Sequence, residues 1–278
     1  MKPTWIVDKS VVFKLSQHNE KIHEVIQRLG YQCILTEIDI LGNTIVPNIL
    51  DNDGPYIFYG SHRFVRLMLK EYPKLRYAAY GVNDRTVASS YLSNLPVEWF
   101  LNDQAIFMPW KLFKHQGKDR FSSYKTGLFI RPNSGFKTFA GQTIMFDKWN
   151  YTIELLEDVT SVTDETMILI SPLKDIIGEF RFVVCDGQVV TGSEYRWDDR
   201  LDIRIDYPIE CFDLAEKIAN HDWQVDDAYI VDVASTIEGP KVIELNSFSC
   251  AGLYACDLEK IVKSLSSVSL KTWKEMNL

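Results

Sequence analysis

The sequence predicts an α/β (α+β) protein in two parts: a small N-terminal α/β domain, then a larger domain of antiparallel sheets and helices. Three observations carry this. Strand-like and helix-like runs alternate over the first hundred residues, as they do in a parallel sheet with helical crossovers. From about residue 127 the texture changes to paired β runs with helices between them. Two of those pairs carry turn signals, Asp186-Gly187 and Glu238-Gly239-Pro240. The change of texture lies between residues 95 and 126, so domains are expected at 1–110 and 111–278.

Residues 4–7 read as a short apolar strand. Residues 19–29 place Ile22, Val25, Ile26 and Leu29 at helical spacing, stopped by Gly30. Residues 33–38 and 56–59 read as further strands. After Gly60-Ser61 a helix carries Phe64, Val65, Leu67 and Met68 up to Tyr72-Pro73. Ligands of parallel sheets sit beyond the strand C-termini, so Gly60, Ser61, His62 and Arg63 form a candidate edge where a helix N-terminus can hold a carboxylate or phosphate. In the second part, residues 127–144 read as strand, polar loop and strand, 148–155 as a helix, and 166–170 as a buried strand. Residues 178–197 form one hairpin and 229–246 another, with helices at 209–219 and 258–276.

The chain has 278 residues, a formal net charge of -8 and five cysteines. That acidic balance disfavours general nucleic-acid binding, which needs clustered cationic charge. Cys33, Cys185, Cys211, Cys250 and Cys256 are odd in number and lack C-x-x-C spacing. They read as reduced thiols of a cytoplasmic protein without structural disulfide or zinc. No apolar run has the length of a membrane span, and the N-terminus lacks the apolar core of a signal peptide. His18, His23, His62, His115 and His221 have no ligand spacing, and the acidic run 222–227 reads as a solvated turn.

Three segments carry chemistry. In residues 229–246, Asp232 on one strand and Glu244 and Asn246 on the next converge on one face. Three hard oxygen donors there suit Mg2+, with the remaining positions left to water and phosphate. The hairpin from Gly178 puts Glu179, Arg181 and Val183 on one face and Phe180, Phe182 and Val184 on the other. Packing of the aromatic face leaves a carboxylate and a guanidinium side by side, either to hold ribose and phosphate or simply as an ion pair. Residues 129–144 bring Arg131, Lys137, Gly135 and Gly141 into one strand-loop-strand unit suited to covering a triphosphate, although it contains no P-loop motif.

In order and spacing these segments resemble the ATP-grasp superfamily over residues 125–262. FIRPNSGFKTFAG is similar to the family strand that carries a phosphate-binding Lys. Arg131 stands in that place, as in an amidoligase-like, often phage-encoded clade, and Lys137 fills a second cationic role. MILISPLKDIIGEFRFVV resembles the family hinge. The resemblance implies adenine contacts from Ile170, Ser171, Pro172 and Leu173, a ribose contact from Glu179, and a phosphate or intermediate contact from Arg181. It makes Asp232, Glu244 and Asn246 the Mg2+ ligands. The loop after E-x-N borders the acceptor, so Ser247 and Ser249 are candidate substrate contacts, with Tyr195 and Arg196 lining the same cleft. Residues 1–110 are similar to the pre-ATP-grasp domain.

The resemblance implies an ATP- and Mg2+-dependent carboxylate–amine ligase that works through an acylphosphate on small-molecule or peptide carboxylate and amine substrates. Arg181, Arg131 and Lys137 would offset the charge of the reacting phosphate. It implies a cytoplasmic location, the host's cytoplasm if phage-encoded, and no membrane partner. A phosphotransferase acting on a hydroxyl and a nucleotide-binding module without turnover are the competing expectations.

Overall fold

Trp5, Ile6 and Val7 are fully buried because the strand that holds them is central and covered on both faces. This strand, β1 (Thr4–Asp8), runs parallel to β2 (Gln32–Asp39). The short β3 (Thr44–Val46) adds to the outer edge of β2 antiparallel, and β4 (Tyr56–Tyr59) lies parallel on the other side of β1. β3 has no counterpart in the sequence reading. Helix α1 (Lys9–Val12) follows β1, and α2 (Ile22–Arg28) precedes β2. The backbone N–H of Lys21 donates to Glu24 at 2.6 Å and starts α2 there. α3 (His62–Glu71) begins at Ser61, whose hydroxyl accepts from the backbone N–H of Phe64 at 3.2 Å.

The computed structural model describes residues 1–12, 20–39, 41–46, 54–198 and 200–277. It divides into two compact units, Met1–Val82 with Ile176–Leu278 and Asn83–Asp175. The start of the helix expected at 19–29 and His18 lie outside the described residues.

The unit Asn83–Asp175 contains α4 (Ala88–Asn94), β5 (Ile106–Pro109), α5 (Trp110–Arg120), β6 (Gly127–Pro132), β7 (Gln142–Met145), α6 (Trp149–Val159) and β8 (Met167–Pro172). Its antiparallel sheet has the order β5-β8-β6-β7. Leu128, Ile130, Ile168 and Ile170 turn to a core shared with Trp110, Phe113 and Trp149 from the helices. The sequence signals β6 to β8, but β5 and α5 lie in the stretch read as a change of texture, and α4 just before it has no counterpart in the sequence reading. The position 110/111 falls one residue inside α5.

In the other unit, β9 (Gly178–Cys185), β10 (Gln188–Trp197), β11 (Arg200–Arg204), α7 (Ile209–Ala219), β12 (Ala228–Thr236), β13 (Gly239–Ser247) and α8 (Leu258–Met276) follow. The five strands form an antiparallel sheet of order β11-β10-β9-β12-β13. Asp186 and Gly187 at the β9–β10 turn have φ of 50° and 73°, the geometry that makes Asp-Gly a hairpin signal. α7 lies on one face, where Phe212 meets Phe182 edge-on with ring centroids 6.2 Å apart.

The other face, with Val183, Cys185, Ala228 and Ile230, shares one core with Trp5, Val7 and Ile57 of the parallel sheet and with Ile261, Val262 and Leu265 of α8. That shared core is why the first 82 residues and the last hundred form one unit. Five cysteines are free, and burial pushes the thiols of Cys33, Cys185, Cys211 and Cys256 up to about 12. Among the described residues no helix is long and apolar enough to cross a membrane.

Gly81 marks a close approach within this unit. Its φ is +69°, and a Cβ there would lie 2.7 Å from the Cα of Ser247. Gly81→Ala is expected to destabilise the protein by more than about 1 kcal/mol, since strain and backbone collision add. Urea unfolding of the variant checks this, and an unchanged midpoint would show that the loop after β13 yields freely.

Candidate active site

Strand register decides which polar side chains meet. Arg181 lies between Ser193 of β10 and Asp232 of β12, and Asp232 lies opposite Glu244 of β13. Paired residues of adjacent strands share a face. Glu179, Arg181, Asp232, Glu244 and Asn246 therefore lie on one side of the sheet, as the alternation of the sequence requires. The amide nitrogen of Asn246 donates to Asp232 at 2.9 Å.

Glu179 and Arg181 do not pair with each other, contrary to the ion pair considered from sequence. Glu179 accepts from the Tyr195 hydroxyl and, at 3.0 Å, from Arg196 Nη1. The Arg181 fork is spent on Asp232, with Nε donating at 2.8 Å and Nη2 at 2.7 Å. Its Nη1 donates to the carbonyl of Gly252 at 2.8 Å. Burial disfavours the Arg181 charge, but the Asp232 carboxylate outweighs it and the guanidinium pKa stands well above its usual value. The rings of Tyr195 and Tyr254 stack 4.8 Å apart, and each also lies near the guanidinium, at 5.5 and 4.9 Å. Desolvation raises the pKa of both tyrosines. Arg181 is thus the post that ties the loop after β13 to Asp232.

Ser247 and Ser249 hold this loop as well. The Ser247 hydroxyl donates to the Tyr80 carbonyl at 2.9 Å, and the Ser249 hydroxyl accepts from the Tyr80 N–H at 2.9 Å. Both residues are buried. The Tyr59 hydroxyl donates to the Ala251 carbonyl at 2.8 Å. Tyr59, Tyr80 and Tyr254 were missed as supports of the site because their partners, the Ala251 carbonyl, the Ser247 and Ser249 hydroxyls, and Arg181 with Tyr195, lie far away in sequence. Only the positive φ of Tyr254, 47°, marks it locally, and a sequence does not show φ.

The acidic run 222–227 is also structural, where the sequence reading made it a solvated turn. Val225 is buried, Asp226 accepts from the Gly81 N–H at 2.7 Å, and Asp227 accepts from Thr272 at 3.1 Å. At the edge of the parallel sheet, the anion seat of α3 belongs to the protein itself. One Asp8 oxygen accepts from the N–H and hydroxyl of Ser61 at 3.1 and 2.7 Å, and the other accepts from the Ser10 N–H at 2.8 Å. Trp197 sits at a rim.

The donor chemistry of the β12–β13 face fits Mg2+. Among the described residues no cluster of three or more His, Cys, Asp or Glu side chains is formed, so a set here needs the amide oxygen of Asn246 beside the carboxylates. The Asn246 nitrogen faces Asp232, which turns its oxygen the other way. A carboxylate has about four lone-pair sites, and Asp232 uses three of them on Arg181 and Asn246. Glu244 is half-buried on β13 opposite Asp232.

In the unit Asn83–Asp175, Arg131 lies opposite Leu169, and Phe129 lies opposite Ser171. Arg131 is buried, and its Nη1 donates to the Tyr91 hydroxyl at 2.9 Å. Tyr91, on α4, was another residue that sequence reasoning did not find. Lys137 follows in the loop with φ of 45°. β8 pairs with β5 only as far as Ile170, but with β6 as far as Pro172. Ser171 and Pro172 are therefore laddered on one side only, and the buried Ser171 hydroxyl has no partner among the described residues. The Ile170 side chain belongs to the core. Such a strand end suits a ligand read through main-chain atoms.

The fold is that of an ATP-grasp protein. The chain belongs to the ATP-grasp domain, R2K clade family 2, whose model matches residues 111–264. No curated protein sequence matches it significantly. Among solved structures it is similar to the D-cycloserine synthetase DcsG, at 11% identity and a TM-score of 0.63 over 96% of this chain and 99% of that one. It is also similar to the D-alanine–D-alanine ligase of Bacillus anthracis, at 14% identity and a TM-score of 0.56 over 99% and 100%. A third similar structure is the ATP-grasp ligase PsnB complexed with the precursor peptide PsnA2 and AMPPNP, at 12% identity and a TM-score of 0.54 over 96% and 97%.

Proposed function

We propose that the protein is an ATP- and Mg2+-dependent carboxylate–amine ligase that forms an amide bond through an acylphosphate. The observation that carries this is the polar face of β9, β12 and β13, where Glu244 and Asn246 stand beside an Asp232 held by Arg181. Bound Mg2+ would supply positive charge to the phosphates, with Glu244, Asn246 and the remaining lone pair of Asp232 as its ligands. Arg131 and Lys137 contact phosphate, and the strand end at 170–173 reads adenine through its backbone. Glu179, fixed by Tyr195 and Arg196, accepts from ribose hydroxyls. Arg181 fixes the loop after β13, and Ser247 and Ser249 position that loop beside the acceptor. Residues 1–110 serve as the pre-ATP-grasp domain and 111–278 as the ATP-grasp domain. Buried thiols suit a reducing cytoplasm.

The name of one similar structure, a D-alanine–D-alanine ligase, supports amide formation as the outcome. Isothermal titration with ATP tests the first half: binding is expected only with Mg2+ and is expected to weaken on Asp232→Ala. Product analysis tests the second. ADP and free phosphate are expected only when carboxylate and amine are both present. Phosphate transferred stably to a hydroxyl would make the protein a phosphotransferase, and nucleotide binding without ADP under any mixture would make it a binding module.

A further inference from the structure

The five-stranded sheet of the larger unit has two outer edges, and they are built differently. β13 opens with Gly239-Pro240-Lys241. A proline, which lacks an N–H, and a charged lysine both blunt an edge strand against further pairing. β11 (Arg200–Arg204) has neither residue. Among the described residues β10 is its one strand neighbour, so its outer side is open to another strand. Leu201 and Ile205 are each 71% exposed there. Two large apolar side chains along an open edge favour pairing with a further strand.

Side chains alternate along a strand, and the strand here ends at Arg204 while the alternation of the sequence runs on through Asp206. Leu201, Ile203 and Ile205 form the apolar row; Arg200, Asp202, Arg204 and Asp206 form the charged row. Arg204 Nε donates to Asp202 at 3.0 Å, so these two share a face. The charged row runs cation, anion, cation, anion, and it therefore carries opposite signs at equal distances from Ile203. An antiparallel strand of the same sequence centred on Ile203 sets Asp202 opposite Arg204 twice, with Ile203 opposite itself. At the ends Leu201 meets Ile205 and Arg200 meets Asp206. Moving the centre by one residue puts Asp202 on Asp202 or Arg204 on Arg204, which is repulsive.

We propose that β11 pairs antiparallel with β11 of a second copy about a two-fold axis at Ile203, so that the two sheets continue as one. Main-chain hydrogen bonds and the apolar row supply the attraction. Exposed ion pairs contribute little stability one by one, so the charged row selects register and partner more than it adds affinity. Another extended peptide has the same backbone to offer, but this chain carries the complement of its own charge pattern. The pairing uses no nucleotide and is independent of the ligase reading.

Sedimentation velocity of the full chain from micromolar to millimolar concentration reads the assembly. A species of twice the 32.1 kDa chain mass is expected to grow with concentration. Leu201→Lys, at an exposed position, is expected to weaken self-association at least tenfold, because it sets an ammonium against Ile205 of the second copy. Asp202→Arg alone and Arg204→Asp alone each bring like charges face to face and should weaken it at least as much. Mixing these two variants in equal amounts is expected to restore a dimer of one copy of each, since every cation of one edge then faces an anion of the other. Urea unfolding establishes that each variant is folded, and Leu201→Lys decides alone if a charge variant is not. A single species of chain mass at every concentration overturns the proposal, and so does a dimer that all three substitutions leave intact. A chain of single mass that binds an alternating Val-Thr peptide, with binding lost on Leu201→Lys, assigns the edge to extended peptides and overturns it as well.

Discussion

Arg181→Met is expected to lower the unfolding free energy by about 3–5 kcal/mol, the cost of stranding one member of a buried ion pair. Asp232 is 1% exposed, and two of its hydrogen bonds come from this guanidinium. Among the described residues no other cation donates to it, so the substitution leaves a desolvated carboxylate with only the Asn246 amide. The loop after β13 also loses its tie at Gly252. Adding Asp232→Leu should recover most of the stability, because two apolar side chains replace the pair. Urea unfolding of the single and double variants measures the coupling directly. A loss below about 1 kcal/mol in the single variant would mean that the pair is relaxed by water and does not anchor the loop. The double variant is expected to remain inactive although stable, since the polar face has lost its central carboxylate.

Glu244→Gln is expected to abolish Mg2+-dependent ATP binding, by about 100-fold or more, without loss of fold. Glutamine keeps the shape of the side chain and removes the charge that a hard divalent cation needs. Removing an outer-sphere partner of a metal costs about 10–100-fold in affinity, so a direct ligand should cost at least the upper end. Glu244 is half-buried and lies on the edge strand β13, where a neutral side chain is tolerated. Titration of ATP with and without Mg2+ reads the effect. Unchanged metal-dependent binding would remove Glu244 from the ligand set and leave Asp232 and Asn246 as structural partners of Arg181.

The elements legible in the sequence are those whose cause is local. Strands β1 and β4, the Asp186-Gly187 turn, and helices α7 and α8 follow from apolar periodicity and turn chemistry, which act over a few residues. Alternation along β9, β12 and β13 also fixed which side chains of each hairpin share a face, Glu179 with Arg181 and Asp232 with Glu244 and Asn246, while the pairing of β9 with β12 joined the two groups. The short strands β3, β5 and β11 were not. Each is an edge strand stabilised by the neighbour it pairs with, and three to five residues carry too little periodic signal to announce it.

Tertiary structure alone decided the partners. Glu179 and Arg181 are two residues apart on one face, so a sequence makes them a natural pair. Strand register instead sets Arg181 beside Asp232, 51 residues away, and leaves Glu179 to Tyr195 and Arg196. Ser247 and Ser249 reach Tyr80 across more than 160 residues, and Asp8 caps α3 from a different strand. The residue types and their faces were thus determined by the sequence itself, through the two-residue period of a strand. The bonds those side chains make depend on which strands and loops lie alongside, and that is set by the burial of one apolar core common to both ends of the chain.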